Sequence, residues 1–202
     1  MLGAALAACL IGLGGVCAAA PKDDEPQNLF ISPSGEPFFS PMSKPYAIVD
    51  WFKRMDAKGD GRIDRAEFLA DAEQFFKKLD RNGDGVLSSD EVYIYEHFMV
   101  PQILSGDLDA PPPEPVENPD GTTTRPPPQL TNEGAAVFGL FNDPEPVMSA
   151  DRNFDQRITH KEFMDQAARH FDRLDPSGKG YFTLQDLPKT PAEAVVHARR
   201  TP

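Results

Sequence analysis

A stretch of twelve residues, DRNGDGVLSSDE at positions 80–91, places an oxygen-bearing side chain at nearly every second position. Glycine stands in its middle and glutamate closes it. This spacing lets the oxygens converge on one point, as a hard cation such as Ca²⁺ requires, with six to eight oxygens around it. A solvated acidic surface needs no such order. The stretch therefore predicts a cation-binding loop.

The same pattern occurs four times along the chain. We number the copies loop 1 (56–67), loop 2 (80–91), loop 3 (151–162) and loop 4 (175–186). The distance from loop 1 to loop 2 equals the distance from loop 3 to loop 4. The chain therefore contains two copies of a two-loop unit, and this repeat dominates its organisation.

Apolar residues at helical spacing flank the loops. Before loop 1 they share one helical face and are Ile48, Phe52 and Met55. We expect this helix to start at Pro45, with Ser43 as its cap. Only one helix, near residues 65–79, fits between loops 1 and 2. At 1.5 Å per residue it spans about 20 Å, so the two loops of one unit lie at opposite ends of it.

This pattern resembles the EF-hand calcium-binding superfamily and is similar to exported bacterial EF-hand proteins. The resemblance covers residues 45–100 and 137–187. It implies that side chains at loop positions 1, 3, 5, 9 and 12, with the backbone carbonyl at position 7, hold Ca²⁺. In loop 2 these residues are Asp80, Asn82, Asp84, Val86, Ser88 and Glu91.

Loop 3 carries a full ligand set with one defect. Gln156 stands where glycine belongs, so a residue with a Cβ must take the left-handed turn, at a cost of about 1 kcal/mol. Pro144 and Pro146 also leave room for only about one helical turn before the loop. The predicted ligands of loop 3 are Asp151, Asn153, Asp155, Arg157 through its carbonyl, Thr159 and Glu162.

Loops 1 and 4 each contain a lysine at a ligand position. Lys58 at position 3 of loop 1 removes one oxygen, so we expect weaker binding there. The predicted ligands of loop 1 are Asp56, Asp60, Arg62 through its carbonyl, Asp64 and Glu67. Loop 4 has Lys179 at position 5, and Pro188 ends its second helix early. We expect loop 4 to be structural and to bind weakly or not at all through Asp175, Ser177, Tyr181, Thr183 and Asp186.

The two units are predicted to dock antiparallel. This places loop 1 beside loop 4 and loop 2 beside loop 3. The residues at loop position 8 then bridge as Ile63 with Phe182 and Leu87 with Ile158. The expected fold is all-α: two EF-hand pairs, each sharing one central helix, with a Pro-rich linker between the pairs.

The chain divides into six predicted segments. They are a signal peptide (1–19), an extended lead-in (20–44), the first pair (45–104), the Pro-rich linker (105–134), the second pair (135–190) and a tail (191–202). Residues 1–20 carry no charge and a charged stretch follows them, which indicates export to the periplasm or the exterior. The alternative is a lipoprotein anchored through Cys9. Both cysteines lie in this segment, so we expect no disulfide in the mature chain. We also expect no integral membrane segment in the mature chain.

Composition and motifs narrow the function further. A net charge of −12 argues against nucleic acid as a partner, and the absence of a known catalytic motif argues against an enzyme. The phenylalanines near the loops are expected to pack in the core; they are Phe52, Phe68, Phe75, Phe76, Phe98, Phe163 and Phe171. We expect calcium binding with a structural or buffering role. The alternatives are a sensor that captures an unidentified protein partner, and a site for another hard cation such as a lanthanide.

Overall fold

The computed structural model describes residues 26–104, 116–117, 123–124 and 133–194. The predicted signal peptide and most of the predicted linker lie outside these residues, as does the end of the tail. The helices are α1 (Ile48–Met55), α2 (Arg65–Leu79), α3 (Ser89–Ile94) and α4 (His160–Leu174). The strands are β1 (Gln27–Ile31), β2 (Pro37–Pro41), β3 (Ile63–Asp64), β4 (Val86–Leu87), β5 (Val116–Glu117), β6 (Thr123–Thr124), β7 (Ile158–Thr159) and β8 (Tyr181–Phe182). The fold is helical, as predicted, and its strands pair only two by two in the described residues.

The second and fourth helices form the centre of the molecule. They run antiparallel, because Arg65 at the start of α2 pairs with Asp172 near the end of α4. Phenylalanines fill the seam between them, with ring centroids 5.8 Å apart for Phe68 and Phe171 and 5.4 Å apart for Phe76 and Phe163. This is the antiparallel docking that the repeat predicts. The expected core role of the phenylalanines holds except at Phe98, which is 73% exposed.

Short antiparallel bridges join the loops across this seam. Strand β3 of loop 1 pairs with β8 of loop 4, with Ile63 opposite Phe182. Strand β4 of loop 2 pairs with β7 of loop 3, with Leu87 opposite Ile158. All four residues are fully or almost fully buried. The predicted bridging register is therefore confirmed, and the molecule has two lobes: the 1–4 lobe and the 2–3 lobe.

Residues 27–41 form a β-hairpin, although the sequence analysis interprets this region only as an extended lead-in. Strands β1 and β2 pair from Gln27 with Pro41 to Ile31 with Pro37. The Phe30 ring is fully buried and lies 5.1 Å from Trp51 of α1, between ring centroids. The apolar runs LFI and PFF on either side of the turn SPSG are the signal that could have predicted it.

The hairpin also sets where α1 begins. The backbone N–H of Ala47 donates to Asn28 Oδ1 (2.9 Å), and the Tyr46 hydroxyl donates to the Leu29 carbonyl (2.6 Å). These bonds hold the residues before α1 against the hairpin. The helix therefore starts at Ile48 without a side-chain cap, and the predicted start at Pro45 with a Ser43 cap is wrong.

The hairpin turn contacts both halves of the chain. Gly35 has φ of +97°, and a Cβ there would lie 2.8 Å from the Tyr95 hydroxyl and 2.9 Å from Val147 Cγ2. Tyr95 follows loop 2 and Val147 precedes loop 3. The His170 Nδ1–H of α4 donates to the Pro33 carbonyl (3.0 Å). The turn is thus packed between the two loop units, and only glycine fits at its closest point.

A network of charges around two buried carboxylates ties the hairpin to the first two helices. Arg54 of α1 lies 2.5 Å from a carboxylate oxygen of Glu36 in the turn and 2.5 Å from one of Asp71 in α2. Lys78 reaches the other Glu36 oxygen (2.5 Å). The Trp51 indole N–H donates to Asp71 (3.2 Å). These contacts satisfy two buried carboxylates and fix the hairpin against the helices that carry loops 1 and 2.

The weak helices around the second unit agree with the sequence. A single 3₁₀ turn, Met148–Ala150, precedes loop 3. The 3₁₀ turn Leu184–Asp186 forms the end of loop 4, and Leu187 is already extended. Both features follow from the nearby prolines, which cannot sit in a helix interior. Other short helical turns are a π-helix at Tyr95–Met99 and 3₁₀ turns at Pro101–Leu104 and Gly134–Val137.

Candidate metal centre

All four loops share one frame, built on the aspartate at position 1. One oxygen of that carboxylate accepts the N–H of the residue at position 6, at 2.9 Å for Asp56, Asp80 and Asp151. Asp175 does the same at 2.6 Å. Each bond closes a tight turn from position 1 to position 6 around the carboxylate. All four loops therefore form this turn, although they differ in the residues at positions 3 and 5.

In loop 2 every predicted ligand position supports this turn. Asn82 Oδ1 accepts from the N–H of Asp84 (2.8 Å), and Asp84 Oδ1 accepts from the N–H of Val86 (2.9 Å). The side chains at positions 1, 3 and 5 thus face the inside of the loop, where the N–H groups also point. Asp84 and Asn82 are exposed, so an ion can reach them.

The last four residues of loop 2 also start the next helix. Ser88 and Glu91 form a capping box, in which the Ser88 N–H and Oγ both donate to Glu91 Oε2 (2.9 Å each). Glu91 Oε1 accepts the N–H of Arg81 (2.8 Å). Burial alone would raise the pKa of Glu91, but these hydrogen bonds lower it below its ordinary value. The position-12 carboxylate therefore lies across the loop in its ionised form.

Loop 3 repeats this arrangement with strain. Asn153 accepts from Asp155 (2.8 Å) and the Thr159 hydroxyl donates to Glu162 (2.7 Å), as in loop 2. Gln156 takes the left-handed conformation that the sequence predicts, with φ of 62°. Phe154 at position 4 is also left-handed, with φ of 60°. The sequence analysis missed this second position, although the other loops carry glycine there, at Gly59, Gly83 and Gly178.

The β4–β7 bridge brings loops 2 and 3 side by side. Besides the strand pairing, the His160 N–H donates to the Gly85 carbonyl (3.0 Å), and the Ser89 hydroxyl lies 3.5 Å from the Gln156 carbonyl. The two position-7 residues, Val86 and Arg157, thus lie on neighbouring short strands or beside them. The structure therefore places loops 2 and 3, with their predicted ligand residues, in one lobe.

Loops 1 and 4 keep the frame but contain internal ammonium groups. The Lys58 ammonium contacts the carboxylates of Asp64 and Glu67 in loop 1. The Lys179 ammonium lies 2.8 Å from Asp186 Oδ2 in loop 4. The hydrogen bond from Lys179 lowers the pKa of Asp186 to about 2. In both loops a lysine at a ligand position thus contacts the residue at position 12.

A second group of acidic residues lies beside loop 3, and the sequence analysis did not identify it. Glu145 and Asp143 line an open depression together with Asp151. Burial raises the pKa of Glu145 to about 8, and the nearby Glu96 and Asp143 act in the same direction. Its Oε2 accepts the Met148 N–H, while its buried Oε1 has no partner among the described residues. This carboxyl group is therefore protonated in the folded protein at neutral pH.

In the part of the chain that the structure describes, the Asp, Glu, His and Cys side chains form no group of three or more close enough to be a preassembled metal cluster. The loop carboxylates accept loop N–H groups instead, and amide, hydroxyl and backbone oxygens occupy the remaining positions.

None of the helices in the described part of the chain is long and apolar enough to span a membrane.

Comparison with known proteins agrees with the loop geometry in the first unit. The family model described as EF hand matches residues 48–70 and, in tandem, residues 72–92. These segments contain loops 1 and 2 with their flanking helices. No curated protein matches the chain.

Proposed function

We propose that calcium binds at loops 2 and 3 of this chain, whose residues 48–70 and 72–92 match the EF-hand family model. The observation that supports this proposal is the β4–β7 bridge, which holds loops 2 and 3 side by side in one lobe. Paired loops of this kind bind ions in a common, rigid setting. We propose no catalytic step for the protein.

The residues present fit a hard divalent cation. In loop 2 the ligands would be Asp80, Asn82, Asp84, Glu91 and the Val86 carbonyl, with Ser88 acting directly or through water. Calcium supplies positive charge that neutralises the clustered carboxylates. Both oxygens of Glu91 already accept hydrogen bonds from the loop. Ion binding therefore competes with these hydrogen bonds, which moderates the affinity.

Loop 3 would bind more weakly than loop 2. Its corresponding residues are Asp151, Asn153, Asp155, Arg157 through its carbonyl, Thr159 and Glu162. Its two left-handed residues with side chains, Phe154 and Gln156, cost about 1 kcal/mol each relative to glycine. An affinity about fivefold below that of loop 2 follows if half of this strain, about 1 kcal/mol, opposes the bound geometry.

We propose that the bound ions are structural or buffering, and that they bind outside the cytoplasm. The uncharged residues 1–20 support export. The chain has a net charge of −12, so ions that neutralise clustered carboxylates favour the folded state. Binding to the folded state alone raises its stability by mass action.

Calorimetric titration with calcium tests the proposal. We expect binding in the wild type and loss of the tight sites in the double variant Asp80→Ala, Asp151→Ala. The matched control is Asp50→Ala, Asp90→Ala, which removes the same charge from exposed residues outside the ligand positions. Equal heats in both variants would contradict the proposal. Competition with magnesium and terbium in the same titration ranks calcium against other hard cations.

Calcium-dependent capture of a protein is the second candidate function. Tyr93 and Phe98, just after loop 2, are 53% and 73% exposed, with ring centroids 6.4 Å apart. An apolar dye distinguishes the two roles. Dye fluorescence that rises when calcium is added favours the sensor, whereas fluorescence that falls favours the structural role.

A further inference from the structure

The lysine of loop 1 lies where a ligand to the ion would be. Lys58 occupies position 3, which is Asn82 in loop 2 and Asn153 in loop 3. Its ammonium contacts Asp64 at position 9 and lies 3.4 Å from Glu67 Oε2 at position 12. Its backbone N–H also donates to Glu67 Oε1 (3.2 Å). The cation thus sits between two carboxylates that a calcium ion would need.

The lysine of loop 4 reaches the same point from another position. Lys179 at position 5 lies 2.8 Å from Asp186 Oδ2 at position 12. It also lies 4.9 Å from the centre of the Tyr181 ring. The hydrogen bond that Lys179 donates to Asp186 raises the pKa of Lys179 above its ordinary value, so this ammonium stays charged. Both loops of the 1–4 lobe therefore close onto a lysine of their own.

The 2–3 lobe has no such cation. Among the ion pairs between described residues, none involves a carboxylate of loop 2 or loop 3. Positively charged residues do occur in these loops, at Arg81, Arg152, Arg157 and Lys161. They stand at positions 2, 7 and 11, which supply no side-chain ligand to the ion. The difference between the lobes is therefore one of position and not of net charge.

We infer that the 1–4 lobe is a metal-independent half of the protein, in which the ammonium groups of Lys58 and Lys179 take the place of calcium. This inference rests on the proposed function of loops 2 and 3. It limits the protein to two calcium ions and assigns no ion to loop 1, where the sequence predicts a weaker site. A calcium ion entering loop 1 would lack one oxygen and would have to displace a like charge.

The variant Lys58→Asn tests the inference by giving loop 1 the residue that loops 2 and 3 have. Calorimetry and equilibrium dialysis are expected to give two calcium ions for the wild type and three for the variant. The third site should bind at least about tenfold more tightly than any residual site in the wild type. The matched control Lys53→Asn makes the same change on an exposed lysine outside the loop and should keep two ions.

The outcomes separate this inference from the proposed function. A wild type that binds three or four ions overturns the inference and leaves calcium binding intact. A Lys58→Asn variant that folds normally by circular dichroism but still binds two ions also overturns it. A wild type that binds no calcium overturns the proposed function itself.

Terbium luminescence gives a second readout that does not depend on Lys58. Tyr181 stands at position 7 of loop 4, so it can transfer energy to an ion held there. We expect Lys179→Asp to gain terbium emission excited through tyrosine, and Lys179→Asp with Tyr181→Phe to lose that gain. Wild-type emission that Tyr181→Phe abolishes would show an ion in loop 4 despite the lysine, and would overturn the inference.

Discussion

The two lobes share a backbone design and differ in what fills it. Each has two loops closed by a position-1 aspartate, and each has one short antiparallel bridge between buried apolar residues. In the 2–3 lobe the inner positions carry amide and carboxylate oxygens without an internal cation. In the 1–4 lobe two of these positions carry lysines that contact their own loop carboxylates.

This difference separates the folding role of such a loop from its binding role. The turn forms because the position-1 carboxylate accepts loop N–H groups, and all four loops retain that aspartate. The apolar bridge forms because the position-8 residue is buried against its partner. Neither feature requires an ion. Because all four loops share the position-1 aspartate, the difference in ion binding that we infer depends on positions 3, 5 and 12, which can change while the fold remains.

The largest expected effect is a loss of stability caused by a substitution in the 1–4 lobe. Phe182 is fully buried, with its ring centroid 6.0 Å from Phe68 and 5.9 Å from Phe171. Phe182→Ala should lower the free energy of unfolding by about 3–5 kcal/mol because it leaves a cavity. Urea unfolding should give the same loss with calcium and with chelator, since no ion binds in this lobe.

The matched variant in the other lobe is Ile158→Ala, which removes the bridging residue opposite Leu87. Its cost, about 2–5 kcal/mol, should be greater with calcium than with chelator because the bridge also holds the ion-binding loops together. If calcium changed the stability cost of Phe182→Ala and Ile158→Ala equally, the distinction between the lobes would be contradicted.

A second prediction concerns pH. The pKa of Glu145 beside loop 3 is raised to about 8 from its ordinary 4.5. The pKa of Asp186 in the 1–4 lobe is instead lowered to about 2. The unfolded chain loses the Glu145 proton above pH 4.5, while the folded protein keeps it until about pH 8. The stability that Glu145 contributes is therefore lost as pH rises through this window, by about 2–4 kcal/mol.

Glu145→Gln should remove this loss. The stability difference between variant and wild type, measured by urea unfolding in chelator, should grow in favour of the variant from pH 5 to pH 8. Asp50→Asn, on an exposed carboxylate, should show no such trend. His170, whose burial lowers its pKa to about 4, titrates in both proteins and cancels in the difference. A stability difference between variant and wild type that stays constant from pH 5 to pH 8 would disprove the raised pKa of Glu145.

A third prediction compares the same residue in each lobe. Asp80→Ala removes the position-1 ligand of loop 2 and should weaken calcium binding by about 100-fold, or about 2.7 kcal/mol. Asp56→Ala makes the same change in loop 1 and should leave calcium affinity and stoichiometry unchanged. Calorimetric titration measures both. A loss of calcium affinity in Asp56→Ala would mean that loop 1 binds an ion after all.

The smallest expected effect concerns the calcium affinities of loops 2 and 3 relative to each other. Gln156→Gly relieves a left-handed residue and should strengthen binding at loop 3 by up to about fivefold, or about 1 kcal/mol. Gly85→Ala is the reverse change in loop 2, where φ is +79° and a Cβ would meet nothing within 4 Å. Its cost should be of the same size and come from the backbone alone. Competition with a calcium-chelating dye measures both affinities.

Much of the site was predictable from the sequence because it is local. The twelve-residue spacing identifies the loops, the equal offset identifies the two units, and Gln156 at a glycine position identifies the strained turn. Even the pairing of Ile63 with Phe182 and Leu87 with Ile158 follows from the sequence, because one 15-residue helix keeps the loops of a unit too far apart to pair with each other.

The tertiary structure decided what depends on contacts distant in the sequence. The hairpin at residues 27–41 is central because Gly35, Tyr95 and Val147 meet there, and no local pattern connects those three residues. Burial of Glu145 likewise depends on which residues pack around it, and burial is what raises its pKa. The sequence shows a lysine in loop 1 and another in loop 4. Only the folded structure shows that both ammonium groups contact their own loop carboxylates. The sequence does not determine this, because a long side chain can point to solvent or inward with little local preference. The folded structure also shows that the two loops belong to one lobe.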